Sequence, residues 1–289
     1  MVVDSSCCLP PELLLQWNIT VVPHELVIDG KSYLDCVDIQ PRDFYRSLRE
    51  SRQVPTTAAP RPQQFLDAFL AARKSAQNIL CVTLSANFSI TYRSALAALE
   101  MAADSLPACR VEVIDSKAAA GASGLIALAA ARWAHMGESL DQVASRVNGM
   151  LPKVNLLAFL DTLYYLGRSG RVAKVKAWAA SVLGVRPLME LRLGEARMLE
   201  RPRSRAKAME RMIELMRQRV GQAPVLVNVM EADAQADAEA LANRLEAEFN
   251  CRQLFASQFT PVMGAHTGPG LLGVAFYVDE EEWEPTASF

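Results

Sequence analysis

A chain of 289 residues is longer than most single hydrophobic cores can serve, so its length points to two domains. Half of it is hydrophobic (51%) and its net charge is −2, an ordinary globular balance that argues against a protein built to hold nucleic-acid phosphates. The six cysteines form neither CxxC pairs nor a dense framework, so reduced thiols are expected, and no metal site or cofactor is indicated.

The N-terminus "MVVDSSCCLPPE" carries an early acid and no basic flank before an apolar core. It does not read as a secretory leader, and a cytoplasmic protein is expected. "MVVD" reads as a strand, and "PPELLLQW" as a helix with prolines at its start. "ITVVPHELVIDGKSY" reads as extended chain turning at Asp29–Gly30. "QPRDFYRSLRE" and "RPQQFLDAFLAARKS" place Phe44, Leu48, Phe65, Leu66, Phe69 and Leu70 at helical spacing. "NILCVTL" (78–84) and "RVEVIDS" (110–116) are short β-rich runs, each followed by a helical pattern. The apolar stretch 118–134 is interrupted by Gly121, Ser123 and Gly124 and reaches Arg132 too soon to span a bilayer. It reads as a helix buried against a sheet. Ser139 and Gln142 match a capping box opening another helix.

Near residue 153 the pattern restarts. "LLAFLDTL" (156–163) reads as a strand, with helical turns around "GRSGR". "RPLMELRLGEARMLE" reads as a hairpin turning at Gly194–Glu195. A helix over 205–219, the strand "VLVNVM", the helix "DAEALANRLEAEF" and a short strand near "RQLFA" follow. The loop "GAHTGPGLLG" then leads into "LLGVAFYV", read as the strand that closes the sheet. Alternating strands and helices imply an α/β fold in two domains: residues 1–153 with a mostly parallel sheet flanked by helices, and residues 154–289 as a smaller mixed α/β unit.

Four polar segments stand at strand ends, where open α/β sheets bind ligands. "DSSCC" follows the first strand. "VPTTAAP" (54–60) is a two-proline loop with adjacent hydroxyls at Thr56 and Thr57. "LSANFSITYRSA" (84–95) leaves a strand through Ser85, Asn87, Ser89 and Thr91 and enters a helix, a natural anion site. His266 sits in the glycine- and proline-rich loop beside Gly268. Singly, each reads equally well as a cap, an ST-turn or a tight connection.

In combination and in order, "VDSSCCLPPELL", "ITVVPHELVIDGKSYLDCVDI", "PTTAAP", "SITYRSA", "VIDSKAA", "LDTLYYLGRSGRV", "RPRSRAKA" and "GAHTGPG" resemble the DegV family over residues 3–278. The resemblance implies a DegV-like two-domain protein that buries one long-chain fatty acid and presents its carboxylate to a separate fatty-acid kinase. It places Thr57, Ser89 and His266 around the carboxylate, with Thr91 and Gly268 beside them. It places Arg168, Arg171, Arg203 and Arg205 near the headgroup opening. The chain departs from the family pattern at Cys8, Ala58, Ala59 and Ile90. Ile90 would set a β-branched side chain beside the carboxylate site.

This division of labour is physically coherent. A fourteen-methylene tail offers about 11 kcal/mol gross at roughly 0.8 kcal/mol per CH₂. Headgroup bonds, worth about 1–3 kcal/mol together, orient the ligand and select acid over ester. A protonated His266 would strengthen acid binding below its ordinary pKa of about 6.5. The loop's glycines would let the backbone pass close to the headgroup, with Pro269 holding the histidine in place.

Two other readings compete. In a serine hydrolase Ser89 would be the nucleophile and His266 the base, with Asp4 or Asp115 as orienter, although no GxSxG elbow surrounds Ser89. In an interaction module the arginine-rich helix from Arg201 to Arg219 would bind nucleic acid or protein, but the acidic chain has no base-reading motif.

Overall fold

Val2–Asp4 (β1) lies between two strands that run parallel to it, Thr20–Val22 (β2) and Asn78–Thr83 (β6). Arg110–Asp115 (β7) completes this four-stranded sheet in the order β2-β1-β6-β7. The computed structural model describes residues 1–50, 54–102, 109–172, 175 and 184–280. The alternation in β6 shows why the sheet is covered on both faces. Ile79 and Cys81 join Phe65 and Phe69 of helix Pro62–Ala72 (α3) and Ala95 and Ala98 of Thr91–Met101 (α4). Leu80 and Val82 face the other way, toward Ala120–His135 (α5) and Leu140–Met150 (α6). Ser139 and Gln142 make the expected capping box of α6.

A three-stranded antiparallel sheet stands apart. Glu25–Ile28 (β3) pairs with Lys31–Leu34 (β4) across the Asp29–Gly30 turn, where both residues have positive φ. It pairs on its other edge with Thr56–Ala58 (β5), so the expected "VPTTAAP" loop is in part a strand, with Leu26 opposite Thr57. Pro55 and Pro60 flank it and leave the short ladder intact. Short helices Pro11–Gln16 (α1) and Pro41–Glu50 (α2) complete this half.

The six-stranded sheet comprises Asn155–Phe159 (β8), Leu188–Arg192 (β9), Glu195–Glu200 (β10), Val225–Glu231 (β11), Cys251–Gln258 (β12) and Leu272–Val278 (β13). Its order is β10-β9-β8-β13-β11-β12. The last strand therefore does not close the edge: it is central and antiparallel to both β8 and β11. Its near-continuous buried run suits a strand covered on both faces, whereas half-buried β12, with Arg252 and Gln253, takes the edge. The β9–β10 hairpin turns at Leu193–Gly194, both at positive φ, one residue before the expected turn. Tyr164–Ser169 (α7) follows β8, and Pro261–Thr267 (α10) precedes β13.

Helices Arg205–Val220 (α8) and Gln235–Glu248 (α9) cover one face of this sheet through Met212, Met216, Leu241 and Leu245. The opposite face meets α5, and one buried cluster runs from Leu80 and Val82 through α5 to Leu226 and Met230. That placement explains the alanine-rich stretch: residues 120–133 are buried all round, and helix faces without polar stripes belong between layers. Gly121 admits Met230 and Asn228 there. No helix among the described residues is long and apolar enough to cross a membrane.

Candidate functional site

The chain leaves β6 through Leu84, whose amide donates to Asp4 Oδ2 at 2.6 Å, so the end of β1 fixes the start of the serine-rich turn. The turn carries Phe88 and Ser89 and enters α4 at Thr91, which is fully buried. Ser89 Oγ lies 2.7 Å from Thr91 Oγ1, and the Thr91 amide donates to Ser89 Oγ at 3.3 Å. Ile90 is the helix cap and is 63% exposed, so its side chain points to solvent and does not crowd the hydroxyls.

Behind Thr91 the hydrogen bonds continue inward. Thr91 Oγ1 is 3.1 Å from His24 Nε2, and His24 Nδ1 is 3.1 Å from Ser5 Oγ. Ser5 Oγ donates to Asp35 Oδ2 at 2.6 Å. The other Asp35 oxygen accepts from the Val262 amide, in the first turn of α10. His266 therefore rides on a short helix, not in a loop, and its Nε2 is 2.9 Å from Thr57 Oγ1.

These two polar groups border one cavity holding about 680 Å³ of empty space, the open solvent at its mouth included. Its apolar walls include Leu84, Phe88, Leu166, Leu191 and Met263, with Ala58 and Ala59 beside them. Thr57, Ser89, His266, Arg171 and His24 supply polar atoms. Burial, then the neighbouring charges of Arg171 and His24, pushes His266 down from 6.5 to about 4. The imidazole is thus neutral at pH 7 in the ligand-free protein, and the protonation expected near 6.5 does not occur there. With the proton on Nε2, it donates to Thr57 and leaves the threonine hydroxyl free to donate into the cavity.

Of the residues singled out in the sequence, Thr57, Ser89, His266 and Arg171 line the cavity, and Thr91 stands one hydrogen bond behind Ser89. Gly268 does not line it. Its φ is +74°, and a Cβ there would run into the Tyr165 ring, while one at Gly264 would meet the Tyr45 hydroxyl. Gly264 and Gly268 thus admit tyrosines where ligand contact was expected. Arg168 lies outside the lining, its guanidinium 5.6 Å from the Tyr164 ring centre. Arg203 is exposed. Arg205 is held by Asp161, Asp237 and the Gly270 carbonyl, and it lies over Phe159.

His24 was the residue missed. It is 3% exposed, and its only sequence signal was a histidine after a strand-ending proline in "VVPHEL". The hydrolase arrangement is not assembled: His266 Nε2 is engaged with Thr57, and Ser89 with Thr91. Asp4 and Asp115 accept backbone amides at the strand ends.

Fold and cavity together define an α/β protein with an apolar cavity bordered by hydroxyls and imidazoles. A family model for uncharacterised proteins of the DegV family matches residues 1–279. A DegV domain-containing protein of Streptomyces coelicolor is 35% identical over 276 residues, covering 95% of this chain and 96% of its own. One from Caldanaerobacter subterraneus is 32% identical over 277 residues, covering 96% and 97%. The chain belongs to the DegV family. Among solved structures it resembles a fatty-acid-binding DegV family protein from Thermus thermophilus (TM-score 0.89, 26% identity, 96% of this chain and 98% of that one). It also resembles DegV, a fatty acid binding protein from Bacillus subtilis (TM-score 0.87, 26% identity, 96% and 98%).

Proposed function

We propose that this protein buries one long-chain fatty acid in the cavity and presents its carboxylate to a separate fatty-acid kinase for conversion to an acyl phosphate. The observation that carries the reading is the union, in one cavity, of apolar walls with hydroxyl and imidazole groups at Ser89, Thr57 and His266. The tail supplies most of the affinity, at roughly 0.8 kcal/mol per buried CH₂. The hydroxyls donate to the carboxylate and hold its orientation. The fatty-acid-binding relatives above support the ligand class.

Presentation to a kinase is the further step. Arg171 lines the cavity and is exposed, so it can meet the negative charge of an incoming phosphoryl group and of the acyl phosphate formed. With this reading go a cytoplasmic location and a division of the chain near residue 153. Denaturing extraction of the purified protein, followed by mass spectrometry, should yield one acyl chain per molecule. No acyl species, together with no uptake of added palmitate, would overturn the proposal.

A further inference from the structure

Ser5, His24, Asp35 and Thr91 are each no more than 3% exposed, and they form an unbroken hydrogen-bonded line that ends at Ser89 on the cavity wall. Each hydroxyl has one hydrogen to give, so the line runs one way or the other. With Asp35 ionised and His24 neutral, Ser5 donates to Asp35 and accepts from His24 Nδ1–H. His24 Nε2 is then an acceptor, Thr91 donates to it, and Ser89 donates to Thr91. In that setting Ser89 has no hydrogen left for a ligand carboxylate. One added proton reverses the order. Whether it lodges on His24 or on Asp35, Nε2–H donates to Thr91, Thr91 donates to Ser89, and the Ser89 hydroxyl is free to point into the cavity.

The charges around the line favour that proton once an anion arrives. His24 faces Asp4 at the end of β1, with Asp4 Oδ1 3.8 Å from its Nδ1, and Asp35 after β4. It also faces His266 of α10, itself beside Arg171, and the uncharged Thr91 of α4. A fatty-acid carboxylate placed at Ser89 adds a third acid to a buried region that already holds two, and a proton from solvent keeps the net charge of the site unchanged.

We propose that Asp35, Ser5 and His24 form a positioning relay that takes up one proton from solvent when a fatty-acid anion binds, and that this proton turns the Ser89 hydroxyl toward the carboxylate. The proposal rests on the fatty-acid reading above. It makes Asp35, which lies outside the cavity lining, and His24, which acts through Thr91, determinants of acid recognition. Burial raises Asp35 above the ordinary carboxylate range, against the hydrogen bonds from Ser5 and Val262, which is in keeping with a proton held on this line.

The test is calorimetric titration of the delipidated full-length protein with palmitate at about pH 8, where the free acid is ionised, in buffers of different ionisation enthalpy. Wild type should take up about one proton per palmitate, with affinity falling about tenfold per pH unit over the range of uptake. Methyl palmitate, which brings no charge, should bind without proton uptake. Asp35→Asn keeps an oxygen for the Val262 amide and offers an amide hydrogen to Ser5, which fixes the line in its donating direction. Its palmitate binding should therefore show near-zero uptake and no such fall with pH. His24→Gln, with an amide donor in place of Nε2, should behave likewise and serves if Asp35→Asn does not fold. Palmitate binding to wild type without proton uptake would overturn the relay alone, as would wild-type uptake persisting in both variants. Absence of palmitate binding would overturn the relay and the proposed function together.

Discussion

Asp35 and Val262, 227 residues apart, are joined by a 3.0 Å hydrogen bond from the Val262 amide to the Asp35 carboxylate. The bond fastens the segment after β4 to the first turn of the helix that carries His266. The same carboxylate receives the Ser5 hydroxyl at 2.6 Å, so two buried donors meet on it. Asp35→Ala strands the Val262 amide and leaves the Ser5 hydroxyl with His24 Nδ1 as its acceptor. At about 1–3 kcal/mol for an unsatisfied buried group, the expected loss of stability is about 1–3 kcal/mol. Urea unfolding measures it, and a loss below about 1 kcal/mol would mean that α10 is held by its apolar contacts alone.

Gly268 and Tyr165 make a second long-range pair. The backbone at Gly268 has φ +74°, and its missing Cβ is the space occupied by the tyrosine ring. Gly268→Ala should cost about 1–3 kcal/mol for a backbone at φ +74° and ψ 174°, a region that favours glycine, and about 1–3 kcal/mol for overpacking. In a double-mutant cycle, Tyr165→Ala should recover the overpacking part and leave the backbone part. Strict additivity of the two variants would remove the ring as the reason for glycine.

Strand and helix order was legible in the sequence because periods of 2 and 3.6 survive in short windows. The capping box at Ser139 and the turn at Asp29–Gly30 are local signals of the same kind. What stayed hidden depends on distant partners. β13 reads as a closing strand until β8 and β11 are seen on its two sides. Ile90 reads as an obstruction until the helix cap turns it outward. His24 gained its meaning only from Ser5 and Thr91, which lie 19 and 67 residues away.

The low value at His266 has a consequence for folding. At about 4 instead of 6.5, the imidazole binds a proton less readily in the folded chain than in the unfolded one. Above 6.5 both states are neutral, and its contribution to stability is fully present. Between 6.5 and about 4 only the unfolded state gains the proton, so stability falls with pH across that window. The loss is at most about 3–4 kcal/mol. Urea unfolding at neutral and mildly acidic pH should show it in the ligand-free protein. His266→Gln should flatten this part of the slope, and an unchanged slope would place the titration elsewhere.

Ser89→Ala and Thr57→Ala should each lower the preference for palmitate over methyl palmitate by about 1–2 kcal/mol, roughly five- to thirtyfold. Ester affinity should change little, because the apolar walls remain. Paired titrations with acid and ester check this. Equal losses for both ligands in a folded variant would move the carboxylate away from these hydroxyls.

Arg203 and Arg205 divide into different roles although two positions separate them. Arg205 is half-buried, 2.7 Å from Asp161 and 2.6 Å from the Gly270 carbonyl, with Asp237 on its other edge. Arg205→Ala would leave Asp237 and the Gly270 carbonyl without this donor, while Asp161 keeps Arg186, and about 1–3 kcal/mol of stability should go with it. Arg203 is exposed and forms no ion pair among the described residues, so it is available to a partner. Arg203→Glu should leave stability within about 0.5 kcal/mol of wild type. If a kinase docks against this face, the reversed charge should slow phosphoryl transfer to bound palmitate by about tenfold, some 1.4 kcal/mol. Unfolding curves and the rate of acyl phosphate formation with the cognate kinase separate the two arginines. Wild-type transfer in Arg203→Glu would make this arginine part of a solvated helix approach and leave Arg171, at the cavity itself, as the cation that meets the phosphoryl group.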